Sequence, residues 1–136
     1  MKALFDINVV LDIVGRREPF VASAESAYLH AVEKSGKPFL AAHAYATLFY
    51  LLGASATKKR RDAAMNWVFE SFAVAAIGER ELAAARSYAM ADFEDAMVVA
   101  AAESAGCDFI VTRNGADFAD SPVPAVSPDE FLLENS

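Results

Sequence analysis

Three groups of carboxylates stand out by their positions. The stretch "MKALFDINVVLDIV" places Asp6, with Asn8 two residues on, directly after an apolar run. "DFED" spans Asp92 to Asp95, and "TRNGADF" carries Asp117 after a second apolar run. Polar side chains rarely sit inside such runs, so each group reads as the end of a strand or the start of a helix. In a parallel sheet the carboxyl ends of all strands share one edge, and acids distant in sequence converge there. Such convergence is costly, because at about 4 Å two like charges repel by roughly 1 kcal/mol in water and about 4 kcal/mol at an effective dielectric of 20. The cluster therefore takes up protons or binds cations. Oxygen donors without a cysteine set or a histidine pair suit Mg²⁺ or Mn²⁺ rather than Zn²⁺.

Each acid also has a purely structural use. Asp6 and Asn8 are both favoured helix N-caps. Asp92 and Asp95 have capping-box spacing, with Asp95 where Glu or Gln is usual; the same i, i+3 spacing puts both on one helix face and turns Glu94 towards solvent. Asp117 follows a polar turn containing Gly115 and fits an ordinary loop. The signal lies in the combination.

The elements that must position these acids alternate. A strand over Lys2 to Phe5 is followed by a helix from near Val9, which leaves Asp6 and Asn8 in the turn. "FVASAESAYLHAVEKSG" has helical spacing and a stop at Gly36, "KPFLAAH" reads as the second strand, and "AYATLFYLLG" as a buried helix ending at Gly53. "ATKKRRDAAMNWVFESF" is amphipathic, and "AVAAIG" is a short third strand. "ERELAAARSYAMA" and "DFEDAMVVAAAESAG" are helical stretches meeting near Asp92, before the strand in "CDFIVTRN". "PVPAVS" adds a short edge strand, and Pro128 opens a last helix in "PDEFLLEN". This alternation implies an α/β fold, a three-layer α/β/α sandwich around a central parallel sheet of four to five strands.

With 136 residues, 55% of them hydrophobic, and no repeat, the chain is expected to form a single domain over 1–136. No apolar segment approaches the length of about 20 residues needed to span a bilayer, and Met1 leads straight into the first apolar run. The expected location is the cytoplasm, with no membrane contact. The lone Cys107 reads as a small apolar filler. A formal charge of −7 disfavours generic attraction to a polyanion. Twelve basic residues remain, four of them in "KKRR" at Lys58 to Arg61, which is either a solvated helix face or a phosphate or partner contact.

Taken together, "FDINVVLDIV", "DFEDAMVVAAAESAGCDFIVTRNGADF" and "SPDEFL" resemble the PIN-domain family in order and spacing over nearly the whole chain. That resemblance implies a small α/β/α nuclease, like the VapC-type toxins of toxin–antitoxin pairs, cutting RNA with Mg²⁺ or Mn²⁺. It makes Asp6 the first metal-binding carboxylate and Asn8 its support, with Asp95 and neighbouring Asp92 the later acidic position. Thr112 would orient carboxylates, and Asn114 and Asp117 would fall in the final motif. The expected metal ligands are Asp6, Asp95 and Asp117. Two departures accompany the match: Thr47 stands where the family usually has a Glu, and "TRN" puts Asn114 where many active members have Asp. His43 lies near the first gap and reads as structural.

The implied chemistry is phosphodiester hydrolysis by a metal-activated water, with Arg16, Arg17 and Arg113 as candidate RNA contacts. The resemblance also implies a small antitoxin inserting a peptide near the acidic cleft. A haloacid-dehalogenase-type phosphatase wants a second Asp two residues after the first, where Asn8 stands, and a receiver domain wants an acid pair that "MKALFD" lacks. The alternative from another class is a catalytically impaired PIN-like module that binds RNA or protein. Apolar residues in "YATLFYLLG" and "MNWVFESF" exceed what one helix face each needs, which points to a homodimer, with core packing their other use.

Overall fold

A computed structural model describes residues 1–134 of the chain. Five strands, β1 (Ala3–Phe5), β2 (Phe39–Ala41), β3 (Ala73–Ala75), β4 (Phe109–Val111) and β5 (Ala125–Val126), form one sheet in the order β3-β2-β1-β4-β5. Every pairing is parallel, so all carboxyl ends lie on one edge. The central strands are apolar throughout because both faces are covered: Phe5, Leu40 and Val111 enter one core, while Leu4, Ala41 and Ile110 enter the other.

On the first face pack α1 (Ile7–Val14), α2 (Val21–Ser35), α3 (Ala42–Ser55), α4 (Lys58–Ser71) and α7 (Pro128–Phe131). On the second lies α6 (Phe93–Ser104), with α5 (Glu79–Ser87) against its outer side. The sheet is thus flanked by helices on both faces, as the alternating pattern implies. Phe5 anchors the first core, with Tyr28, Phe72 and Phe131 edge-on to it at 5.8–6.4 Å. Gly36, at φ 87°, ends α2 as expected. Ser127 and Glu130 close a capping box around Pro128 at the start of α7.

Three expectations need correction. The first helix begins at Ile7, because Asp6 itself is the N-cap, and Asn8 therefore lies inside the first turn. The helix containing Gly53 runs on to Ser55. A Cβ at Gly53 would stand 3.0 Å from Arg61 Nη1, the flexible end of a side chain from α4, and the helix passes through this glycine instead of stopping there. Nor is α3 buried all round, since Phe49, Tyr50 and Leu51 are exposed. No helix among the described residues is long and apolar enough to cross a membrane.

Phe131 is fully buried between Phe5, Phe109 and His30. Phe131→Ala is expected to destabilise the fold by about 3–5 kcal/mol, read as a lower urea midpoint; an unchanged midpoint would separate α7 from the core.

Candidate active site

Adjacent strands bring together residues far apart in the chain. Phe5 is registered against Val111, so the residues that follow, Asp6 and Thr112, leave the sheet side by side. The Asp6 backbone N–H donates to Val111 O at 2.9 Å. Thr112 Oγ1 donates to Asp6 Oδ2 at 2.8 Å, and Asn8 Nδ2 adds a longer bond of 3.3 Å to the same oxygen. Ile7 N–H donates to Asp6 Oδ1 at 2.8 Å. The Thr112 hydroxyl also accepts from Asn114 N–H at 3.0 Å and Asn8 Nδ2 at 3.4 Å. Its single proton and both lone pairs are therefore committed. Asp6 is only 7% exposed. Burial pushes its carboxyl pKa up, the Thr112 and Ile7 bonds pull it down, nearby Asp117 raises it and His43 lowers it.

Across the sheet edge, α6 contributes the second group. Asp92 caps the helix by accepting from Asp95 N–H at 3.0 Å, so its structural use is realised. No reciprocal bond closes a capping box there, and the Asp95 carboxylate borders a cleft shared with Asp6, His43 and Glu94. The cleft, about 40 Å³, has room for a cation or a water but not for a nucleotide base. On its other side Asp95 borders a hollow with Asp92, Asp117 and Asp120. Burial first, and then the charges of Asp92, Asp6, Asp117 and Glu94, push the Asp95 carboxyl up to about 6.

Several placements differ from the sequence reading. Asp92 is the cap and not a residue of the helix itself, yet it stands on the same side as Asp95, both bordering one hollow. Glu94 borders the cleft, 3.8 Å from His43 Nε2, although its side chain stays largely exposed. The α3 wall of the cleft is made by His43 and Ala44; Thr47, one turn on, bonds its hydroxyl back to His43 O at 3.4 Å. Burial lowers the His43 pKa against the pull of Glu94 and Asp6. Asn114 is exposed, and Asp117 lies exposed in a 3₁₀ turn (Gly115–Phe118) whose Asp117 N–H donates to Asn114 O.

The candidate phosphate contacts differ in freedom. Arg16 is well exposed and pairs with Glu25 at 3.1 Å. Arg113 directs its fork at Asp12, with Nε 2.6 Å from Oδ2 and Nη2 3.3 Å from Oδ1. Arg17 Nε lies 3.4 Å from the same Asp12. Asp12 is fully buried, and sequence reasoning passed over it. The available signal was an acid inside "VVLDIV", four residues after Asn8 and so on its helix face.

Among the described residues no three of His, Cys, Asp and Glu stand close enough to hold a metal ion by themselves. The donors nonetheless fit a hard cation that keeps much of its water, as Mg²⁺ does with one or two carboxylates. Asp6 is orientated by three donors, and Asp95 lies under burial and the charges of its neighbours, so a cation held at this cleft would offset part of that repulsion.

A family model described as "PIN domain" matches residues 2–116. Among solved structures, VapBC2 from Rickettsia felis bound to a promoter DNA fragment matches with a TM-score of 0.74 at 13% identity, covering 93% of this chain and 98% of that one. A toxin–antitoxin complex from Klebsiella pneumoniae matches with a TM-score of 0.67 at 23% identity and the same coverage. FitAcB from Neisseria gonorrhoeae gives 0.69 at 21%, covering 93% of this chain and 97% of that one. At these identities the likeness is one of fold. No curated protein sequence gives a significant match.

The raised Asp95 carboxyl fixes the sign of a pH effect. The folded chain holds this proton more tightly than the unfolded chain, whose Asp titrates near 3.9; stability therefore falls as pH rises from about 4 through 6. Asp95→Asn is expected to be more stable than the parent by about 1 kcal/mol at pH 7.5 in EDTA, discounted for a half-exposed side chain, with the gap closing towards pH 4. Urea unfolding at the two pH values checks this, and a gap independent of pH would refute it.

Proposed function

The chain belongs to the PIN-domain family, and from that premise we propose that it is a Mg²⁺- or Mn²⁺-dependent endoribonuclease, the toxin of a toxin–antitoxin pair, working in the cytoplasm as one domain over residues 1–136. The observation that carries the reading is the buried Asp6 carboxylate, held by Thr112, Asn8 and Ile7 and facing Asp95 across one cleft. Asp6 and Asp95 would hold the cation, with Asp117 completing the acidic wall and Asp92 holding the start of α6 in place. When bound, the cation supplies Lewis-acid polarisation of the phosphodiester and an activated water.

The chain's own residues do the rest. Thr112 and Asn8 keep one Asp6 oxygen, Oδ2, fixed, while Oδ1 accepts only from Ile7 N–H and keeps a lone pair for the cation. Arg16, and the outer nitrogens of Arg17, approach the RNA backbone; Arg113 contributes mainly through its grip on Asp12. The cleft is too narrow for a base, so RNA lies across its mouth and presents a phosphate. The antitoxin partner is proposed from the neighbours, two of whose names describe toxin–antitoxin or VapBC assemblies.

A homodimer is supported by the exposed apolar face of α3 and α4, where Tyr50 is 76% and Phe69 59% exposed. Tyr50→Glu with Phe69→Glu is expected to halve the mass found by light scattering; a parent that is already monomeric removes the dimer. The second reading, a catalytically impaired module that binds RNA or protein, draws support from Asn114 in the usual acidic place and from Thr47 bonded back into its own helix.

The deciding experiment is cleavage of tRNA, rRNA fragments and single-stranded RNA with Mg²⁺, Mn²⁺ or EDTA. Metal-dependent cutting is expected, reduced roughly 100-fold or more in Asp6→Ala and Asp95→Ala, since loss of even an outer-shell partner costs 10–100-fold. Equal cutting by all three proteins, or none with either metal, rejects the nuclease and favours the binding module.

A further inference from the structure

Asp12 lies outside the acidic cleft and is fully buried. A carboxylate taken out of water needs partners of opposite charge. It has two, Arg113 through a two-point fork and Arg17 at 3.4 Å. The Arg113 guanidinium is also stacked on one ring, its carbon 3.9 Å from the centre of Phe20 at the entry to α2. This side chain is therefore held by charge, fork geometry and stacking together.

The same helix face holds Arg113 a second time. Asn8 and Asp12 are four residues apart on α1, one turn of helix. Asn8 Oδ1 accepts from the Arg113 backbone N–H at 3.4 Å, while Asp12 takes the side chain. Thr112 sits between two fixed points, Val111 paired within the sheet and Arg113 gripped at both ends by α1. Its hydroxyl is the donor that orientates Asp6, and Asp6 is the residue from which α1 starts. The contacts close a ring from Asp6 along α1 to Asp12, across to Arg113 and back through Thr112.

We propose that Asp12 is a positioning residue for the cation site: by clamping Arg113 it keeps the Thr112 hydroxyl on Asp6 Oδ2. The inference rests on the cation-dependent reading above and deepens it. A buried ion pair that merely joined α1 to β4 would affect folding without acting specifically through Thr112.

A double-mutant cycle separates the two roles, with Mn²⁺ affinity measured by titration calorimetry and electron paramagnetic resonance on protein verified as folded by circular dichroism. Asp12→Asn is expected to weaken Mn²⁺ binding about tenfold, Thr112→Val to weaken it comparably, and the double variant to be no weaker than Thr112→Val alone. Should Asp12→Asn fail to fold, Arg113→Lys, which keeps the charge and loses the fork, takes its place in the same cycle. Parental affinity in the folded single variant, or losses that multiply in the double, would overturn the positioning role while leaving the cation site intact. No Mn²⁺ binding by the parent protein would overturn the cation-dependent reading itself, and this inference with it.

Discussion

The structure turns on a carboxylate that must be kept out of water. Removing Asp6 from solvent costs several kcal/mol unless donors replace the lost hydration, and three are supplied from two elements. That requirement ties the register of β1 against β4 to the start of α1. A slip of one residue between the strands would take Thr112 away from Asp6 and send each side chain to the opposite face. The register needed by the two cores is thus the register needed by the site.

The cores explain how strands of two or three residues can be so strictly placed. Leu4 and Phe5, Leu40 and Ala41, and Ile110 and Val111 each split between the two faces, so every central strand is fixed by packing from both sides. The carboxyl edge is consequently rigid where the strands end. Polar residues just beyond that edge inherit its geometry, while those further along, such as Asn114 and Asp117, are exposed.

Much of this was legible in the chain because the signals were local. An acid after an apolar run marks the strand end at Asp6, and Pro128 after Ser127 marks the start of α7. The sheet class followed from alternation, since hydrophobic runs separated by helical spacing leave few other arrangements. What escaped was set by contacts across the fold. Gly53 reads as a stop until α3 is seen to continue through it, with Arg61 lying against it. Glu94 reads as solvated because its helix face is known but not its neighbour His43. Asp12 was hardest, since Arg113, the partner that grips it with a two-point fork, lies 101 residues away.

That separation has a consequence in time. Asp6 and Thr112 are 106 residues apart, and a contact between such distant positions forms only after most of the chain has been made and has folded around it. A growing polypeptide emerges amino end first, so it carries Asp6 for most of its synthesis without the hydroxyl that orientates it. Assembly of the site is therefore tied to synthesis past β4: a prematurely terminated product ending before β4 contains Asp6 with its two local donors and the whole of α1, but lacks both Thr112 and Arg113.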